Sequence, residues 1–192
     1  MAARLDALPQ RDRALLLDAA VVGKVFWYDA LLALRPEPDV DRVLDELERR
    51  DLIRREASSM IENQQQFTFT HVLIRDVAYE LLPRADRARR HRAVAEFFER
   101  STGSSSEAIG ALARHWRDAG DFDRAIAQLV RAAEQAERGW AKEHAVLLYR
   151  EALELVPEND TERRSALRRR LAIASTASFH VDDVRRPGSP QA

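Results

Sequence analysis

Residues 101–106 read Ser-Thr-Gly-Ser-Ser-Ser, the only low-complexity stretch in the body of this 192-residue chain. Small polar residues in a row can neither fill a core nor hold a regular element, so the stretch marks a loop or a domain boundary. The chain therefore divides into two parts, each of small-domain size. Glu107 follows Ser104 at capping-box spacing, which predicts a helix just after the break. At the far end, Arg185-Arg-Pro-Gly-Ser-Pro-Gln-Ala192 lacks apolar periodicity, and residues 179–192 are expected to form a disordered tail.

Before the break, helical and strand patterns mix. Leu8, Leu15, Leu16 and Ala19 predict a first helix with Pro9 near its start. Val21-Val-Gly-Lys-Val-Phe26 reads as a short β-prone connector, and Trp27 to Leu34 as a second helix ended before Pro36. Val40, Val43, Leu44 and Leu47 fall at i, i+3, i+4 and i+7, the spacing of an amphipathic helix. Leu52 to Glu56 reads as a strand and Ala57 to Gln66 as a polar loop. Phe67-Thr-Phe-Thr-His71 alternates strictly, which places both phenylalanines and His71 on one strand face. Helix, helix, helix, strand, loop, strand is the element order of a winged-helix domain. Two further helices are expected, over Val72–Leu82 and Asp86–Arg100, separated by Pro83.

After the break the pattern is helical throughout. Trp116-Arg-Asp-Ala-Gly-Asp-Phe-Asp-Arg-Ala-Ile126 holds a Gly-Asp turn, with Gly120 expected in the tight turn between two helices. Trp116, Gly120, Phe122, Ala125, Leu129 and Ala132 resemble one tetratricopeptide repeat. Ala145, Tyr149, Ala152 and Pro157 resemble the later half of another. The step from Ala125 to Ala145 is shorter than the repeat length of about 34, so successive pairs share a helix or are irregular. Leu167, Leu171 and Ala174 predict a last helix.

Composition removes several chemistries. The chain has no cysteine, which excludes disulfides, thiolate metal sites and cysteine nucleophiles. Its 31 basic residues nearly cancel its 32 acidic ones, so no global field recruits nucleic acid or an anionic membrane. No apolar run approaches the ~20 residues of a membrane span, and Met1 to Arg13 lacks the apolar core of a signal peptide. A cytoplasmic location is expected. No H-E-x-x-H pair or G-x-S-x-G appears, and the scattered carboxylates suggest no acid/base dyad, so no catalytic residue, metal site or cofactor is expected.

The segment Phe67-Thr-Phe-Thr-His-Val-Leu-Ile-Arg-Asp-Val-Ala-Tyr79 resembles the strand-to-helix junction of the winged-helix domain in STAND-class signalling ATPases. The opening, Ala3-Arg-Leu-Asp-Ala-Leu-Pro9 with Ala19-Ala-Val-Val-Gly-Lys-Val-Phe26, is similar to the segment after the ATPase core in bacterial regulators of this class. Those regulators often carry an adenylate-cyclase or LuxR-type DNA-binding domain elsewhere. The resemblance covers roughly residues 1–178. It implies that a nucleotide-binding domain belongs ahead of this chain. The chain itself lacks the phosphate loop: its only Gly-Lys pair, Gly23-Lys24, has Asp18 in place of the first glycine and Val25 in place of the hydroxyl residue. A C-terminal piece of a larger regulator, or the product of a separated or truncated gene, is expected.

The resemblance also singles out His71 as a nucleotide-sensing residue. In related switch ATPases the histidine of a Met-His-Asp motif contacts the nucleotide phosphate, and here Thr70-His71-Val72 retains the histidine alone. The competing reading is a half-buried histidine satisfied by backbone at a strand end. Arg84, Arg87, Arg89, Arg90 and Arg92 could contact phosphate, but read more simply as a solvated helix face balanced by Asp86, Glu96 and Glu99. Trp116, Trp140, Phe122 and Tyr149 could line a peptide groove, although at helical spacing they read first as inter-helix packing. Asp39 to Asp51 holds six acids against three arginines, a net −3, which opposes insertion of that helix into a DNA groove.

The expected architecture is mainly α. A winged-helix module with two trailing helices spans 1–100, a linker 101–106, tetratricopeptide-like hairpins 107–178 and the tail 179–192. The expected function is regulatory and non-enzymatic. The first part would sense the nucleotide-binding domain, and the repeats would bind protein partners. Two alternatives remain: a stand-alone winged-helix transcriptional regulator, or a plain helical-repeat adaptor.

Overall fold

A computed structural model describes residues 5–36, 39–101, 106–139 and 141–184, without the side chains of 106–108 and 177–184. Among the described residues the chain is mainly α, with nine helices and three short strands. It divides into two compact units, Met1–Thr102 with Asp118–Gly120, and Gly103–Arg117 with Asp121–Ala192. Ser104, the expected cap, and most of the expected linker lie outside the described residues.

The first unit begins with α1 (Gln10–Val22), entered through Pro9, whose missing N–H costs nothing at a helix start. Val21 and Val22 belong to α1 rather than to a β-prone connector. Both are buried, and burial outweighs the small helical penalty of β-branched side chains. The helix stops at Gly23, whose φ of 149° is poorly open to a side chain, and a Cβ there would sit 3.3 Å from the Val25 carbonyl.

Next come β1 (Val25–Trp27), α2 (Tyr28–Leu34), α3 (Val40–Arg49), β2 (Ile53–Arg55) and β3 (Gln66–Phe69). Trp27 thus ends a strand instead of opening the second helix. β3 is the middle strand, antiparallel to both neighbours, with Phe26 opposite Phe67 and Arg54 opposite Thr68. All four β3 residues are buried, as a central strand covered on both faces requires. Phe26 stacks on Phe67 at 5.6 Å and meets Phe69 at 5.4 Å. The following helices are α4 (Val72–Glu80) and α5 (Arg84–Ser101), and α1 packs against α2, α3, α4 and α5. Trp27 meets Phe98 of α5 edge-on at 5.6 Å.

The second unit holds α6 (Ser106–Asp118) as far as Arg117, α7 (Phe122–Arg138), α8 (Lys142–Leu155) and α9 (Thr161–Val184). Gly120 lies in the turn between α6 and α7 with φ +79°, as its place before Asp121 leads one to expect. Asp121 caps α7 by accepting from the Arg124 amide at 3.2 Å, and Asp160 caps α9 through the Arg163 amide at 3.0 Å. α7 buries Ala125, Ile126, Leu129, Ala132, Ala133 and Ala136, and α8 buries Ala145, Leu148, Tyr149 and Ala152. α7 packs on α8, and α8 on α9. The two repeat-like segments therefore occupy neighbouring helices, so their 20-residue step is one helix and one connection.

α9 runs to Val184, past the expected boundary at 178. Ala-Ser-Thr composition without glycine or proline before Pro187 offers nothing that ends a helix sooner. Residues 185–192 of the expected tail lie outside the described residues.

Candidate functional site

His71 follows the central strand but is not part of it, because β3 ends at Phe69. The Thr70 amide still donates to the Leu52 carbonyl at 3.1 Å, closing the ladder beside β2. His71 then takes the N-cap position of α4, with extended backbone (φ −132°, ψ 131°) and no capping hydrogen bond from its ring. The alternation that put His71 on the phenylalanine face stops short of it. Its side chain is exposed instead of half-buried and backbone-satisfied.

The first turn of α4 is correspondingly open. Early amides of a helix lack intrahelical acceptors and favour anions, and the imidazole supplies no acceptor for them. Val72 and Leu73 beside it are 50% and 61% exposed. The Thr70 hydroxyl, one residue back, is buried without a hydrogen-bond partner.

The remainder of α4 is fixed. Arg75 donates from Nε to the Ala20 carbonyl at 3.0 Å and reaches Asp76 at 3.1 Å. Tyr79 lies between two guanidiniums, Arg75 at 4.9 Å and Arg87 at 4.6 Å from its ring centre. Its hydroxyl meets His91 Nε2 at 2.9 Å. Arg87 also donates to the Leu82 and Glu80 carbonyls at 2.7 and 2.9 Å, satisfying the end of the helix. The rest of α4 is thus tied to its neighbours, while in its first turn the Ile74 amide donates to the His71 carbonyl at 3.0 Å and the His71 ring caps nothing.

The arginine run on α5 is only partly a solvated face. Arg84, Arg89 and Arg92 are exposed, but Arg87 caps α4 and Arg90 reaches into the unit. Arg90 Nε donates to Asp18 at 2.6 Å, and Arg35 Nε to the other oxygen at 2.9 Å. Asp18 is 1% exposed. A carboxylate buried this deeply is tolerated because both oxygens are paired. Sequence reasoning missed this triad, although a charged residue on the Leu15, Leu16 and Ala19 side of α1 was the available signal. Gly23-Lys24 forms a bend, with the Lys24 carbonyl accepting from the Phe69 amide at 3.0 Å.

The acids of α3 are engaged within the unit. Asp41 accepts from the Tyr28 hydroxyl at 2.9 Å, and that hydrogen bond, with some burial, raises the Tyr28 pKa. Asp45 pairs with Arg55 at 3.0 Å. Glu46 holds Arg50 at 2.6 Å and also Arg49; its hydrogen bond from Arg50 chiefly keeps its carboxyl below the usual range.

In the second unit Trp116 and Tyr149 are buried, so neither offers its ring to a ligand. Phe122 is 50% exposed, and Trp140 lies outside the described residues. Arg124 covers the Trp116 ring at 4.4 Å. The Tyr149 hydroxyl donates to Glu137 at 3.2 Å, while Arg170 pairs with Glu134 across α7 and α9. Burial, then the Glu137 carboxylate, raise the Tyr149 pKa; Arg170 opposes them.

Among the described residues no group of three or more His, Asp or Glu could hold a metal ion. No described helix is long and apolar enough to cross a membrane. No model of a known protein family matches the chain, and no curated protein matches it.

Proposed function

We propose that the chain is a non-catalytic, cytoplasmic regulatory piece of a STAND-type ATPase. Its first unit is a winged-helix module that reads the nucleotide state of an adjoining domain, and its second unit is a tetratricopeptide-like scaffold for protein partners. The observation that carries this reading is the exposed His71 at the open first turn of α4. An imidazole N–H and uncapped helix amides are together suited to a phosphate oxygen presented from outside. The exposed Val72 and Leu73 give the presenting domain an apolar surface to rest on.

A DNA-reading role has less support. Inserting α3 would bring Asp41, Asp45 and Glu48 towards phosphates and would require breaking the pairs that hold Arg49, Arg50 and Arg55.

The test is a regulator reconstituted from this chain and its nucleotide-binding domain. His71→Ala should change the ratio of resting to active regulator by about tenfold, a coupling of typical allosteric size, without altering the circular dichroism of the chain. An unchanged ratio would overturn the reading.

A further inference from the structure

The outward face of α8 carries a large apolar side chain that takes no part in the core. α8 buries Ala145, Leu148, Tyr149 and Ala152 on its inner side. At about 100° per residue, the opposite direction is occupied by Glu143, Leu147, Arg150 and Glu154. All four are exposed, Leu147 by 59%. On this face Glu143 and Arg150 lie to one side of Leu147, and His144 and Glu151 to the other.

Most of the charge around Leu147 has no partner within the chain. Glu143, His144 and Arg150 make no hydrogen bond or ion pair among the described residues. Glu151 holds Arg117 at 3.0 Å through one of its oxygens.

The spacing makes this face complementary to itself. A two-fold axis crossing α8 at Leu147 lays a second α8 antiparallel on the first, and each side of the face stays on its own side. Glu143 and His144 precede Leu147 by about 6 and 4.5 Å along the helix, and Arg150 and Glu151 follow it by about 4.5 and 6 Å. Reversal therefore brings Glu143 of each copy to the level of Arg150 of the other. It brings His144 to the level of Glu151 in the same way. The two Leu147 side chains meet on the axis.

We propose that the outward face of α8 is an isologous contact between two copies of this chain, centred on Leu147. An unrelated partner would need only an apolar surface for Leu147. Opposite charges at matched distances before and after that residue are what a second copy of the same helix answers. One helix on one helix lies at the small end of specific interfaces, below about 1,200 Å² of buried surface, so the association is weak and reversible. The proposal needs α8 alone and is independent of the role given to His71.

The experiment is sedimentation velocity on the full chain from about 10 µM to about 1 mM, a range that spans the Kd of about 100 µM expected for so small a contact. The sedimentation coefficient should rise with concentration and fit a monomer–dimer equilibrium. Leu147→Glu puts two carboxylates on the axis and should raise Kd at least about tenfold. Glu143→Arg and Arg150→Glu should each weaken the dimer about fivefold or more, since each sets like charges against one another twice. Combined in one chain they restore both pairs, and Kd should return to within about threefold of the original. All these side chains point away from the core. Should Leu147→Glu still lose helical circular dichroism, Leu147→Ser takes its place, with weaker association again expected. The proposal is overturned if the chain stays monomeric at about 1 mM. It is equally overturned if dimerisation survives loss of the Leu147 side chain, or if the double charge reversal associates no more tightly than the single ones.

Discussion

The two units are held together by opposite means. The first relies on a few large groups in fixed positions: three phenylalanines around β3, Trp27 against Phe98, and one buried carboxylate clamped by two arginines. The second relies on many small ones. Seven of the fourteen residues in its core cluster are alanine, which lets neighbouring helices approach closely and confines charged pairs such as Arg163–Asp123 to the exterior. A core of large keyed groups is damaged most by deletion; a core of small ones is damaged most by addition.

Substitutions in each unit test that contrast. The largest effect is expected at Asp18. Asp18→Ala leaves Arg35 and Arg90 without their shared partner and should cost about 3–5 kcal/mol, the usual penalty for half of a buried ion pair. Hydrogen exchange should accelerate in α1, α2 and α5 while α7 and α8 keep their protection. Equal loss in both units would contradict the comparison. Ala132→Leu comes next, since overpacking a tight helix contact costs about 1–3 kcal/mol. Chemical denaturation should show it, and a neutral result would mean that the second core has room to spare.

Gly120→Val is smaller and isolates the backbone. No atom lies within 4 Å of an added Cβ there, so the cost comes from φ +79° alone. About 1 kcal/mol is expected, read as a lower Tm. An unchanged Tm would show that the turn relaxes freely.

The smallest effect depends on pH. Tyr149 holds its proton more tightly in the folded chain than in the unfolded one, chiefly through burial and then Glu137. Its contribution is therefore complete below the unfolded pKa of about 10 and is lost as pH rises through the folded value, because the unfolded chain releases the proton first. The alkaline fall in Tm should be shallower in Tyr149→Phe; identical profiles would remove Tyr149 as its cause.

Legibility in the sequence followed the range of the forces involved. α3 and α7 could be read from apolar spacing, because helix periodicity is a local property that packing merely uses. The alternation in Phe67 to His71 identified β3 but misplaced its end. All four residues of β3 are buried, so alternation there does not tell inside from outside, and the end is set by the bond from the Thr70 amide to the distant Leu52 carbonyl. Asp18 was illegible as a structural centre because its partners lie 17 and 72 residues away. His71 was legible as a residue to watch through its resemblance. Its exposure was not, since that follows from where β3 stops.

The most direct measurement is on the His71 ring itself. In the regulator reconstituted with its nucleotide-binding domain, the imidazole proton resonances of His71, assigned by comparison with His71→Ala, can be followed with the site empty, with ADP and with ATP. A His71 that reads a phosphate should show three distinct environments, with the largest displacement in a nucleotide-loaded state. Identical resonances in all three states would contradict a sensing role and leave the open turn of α4 as a feature of the fold alone.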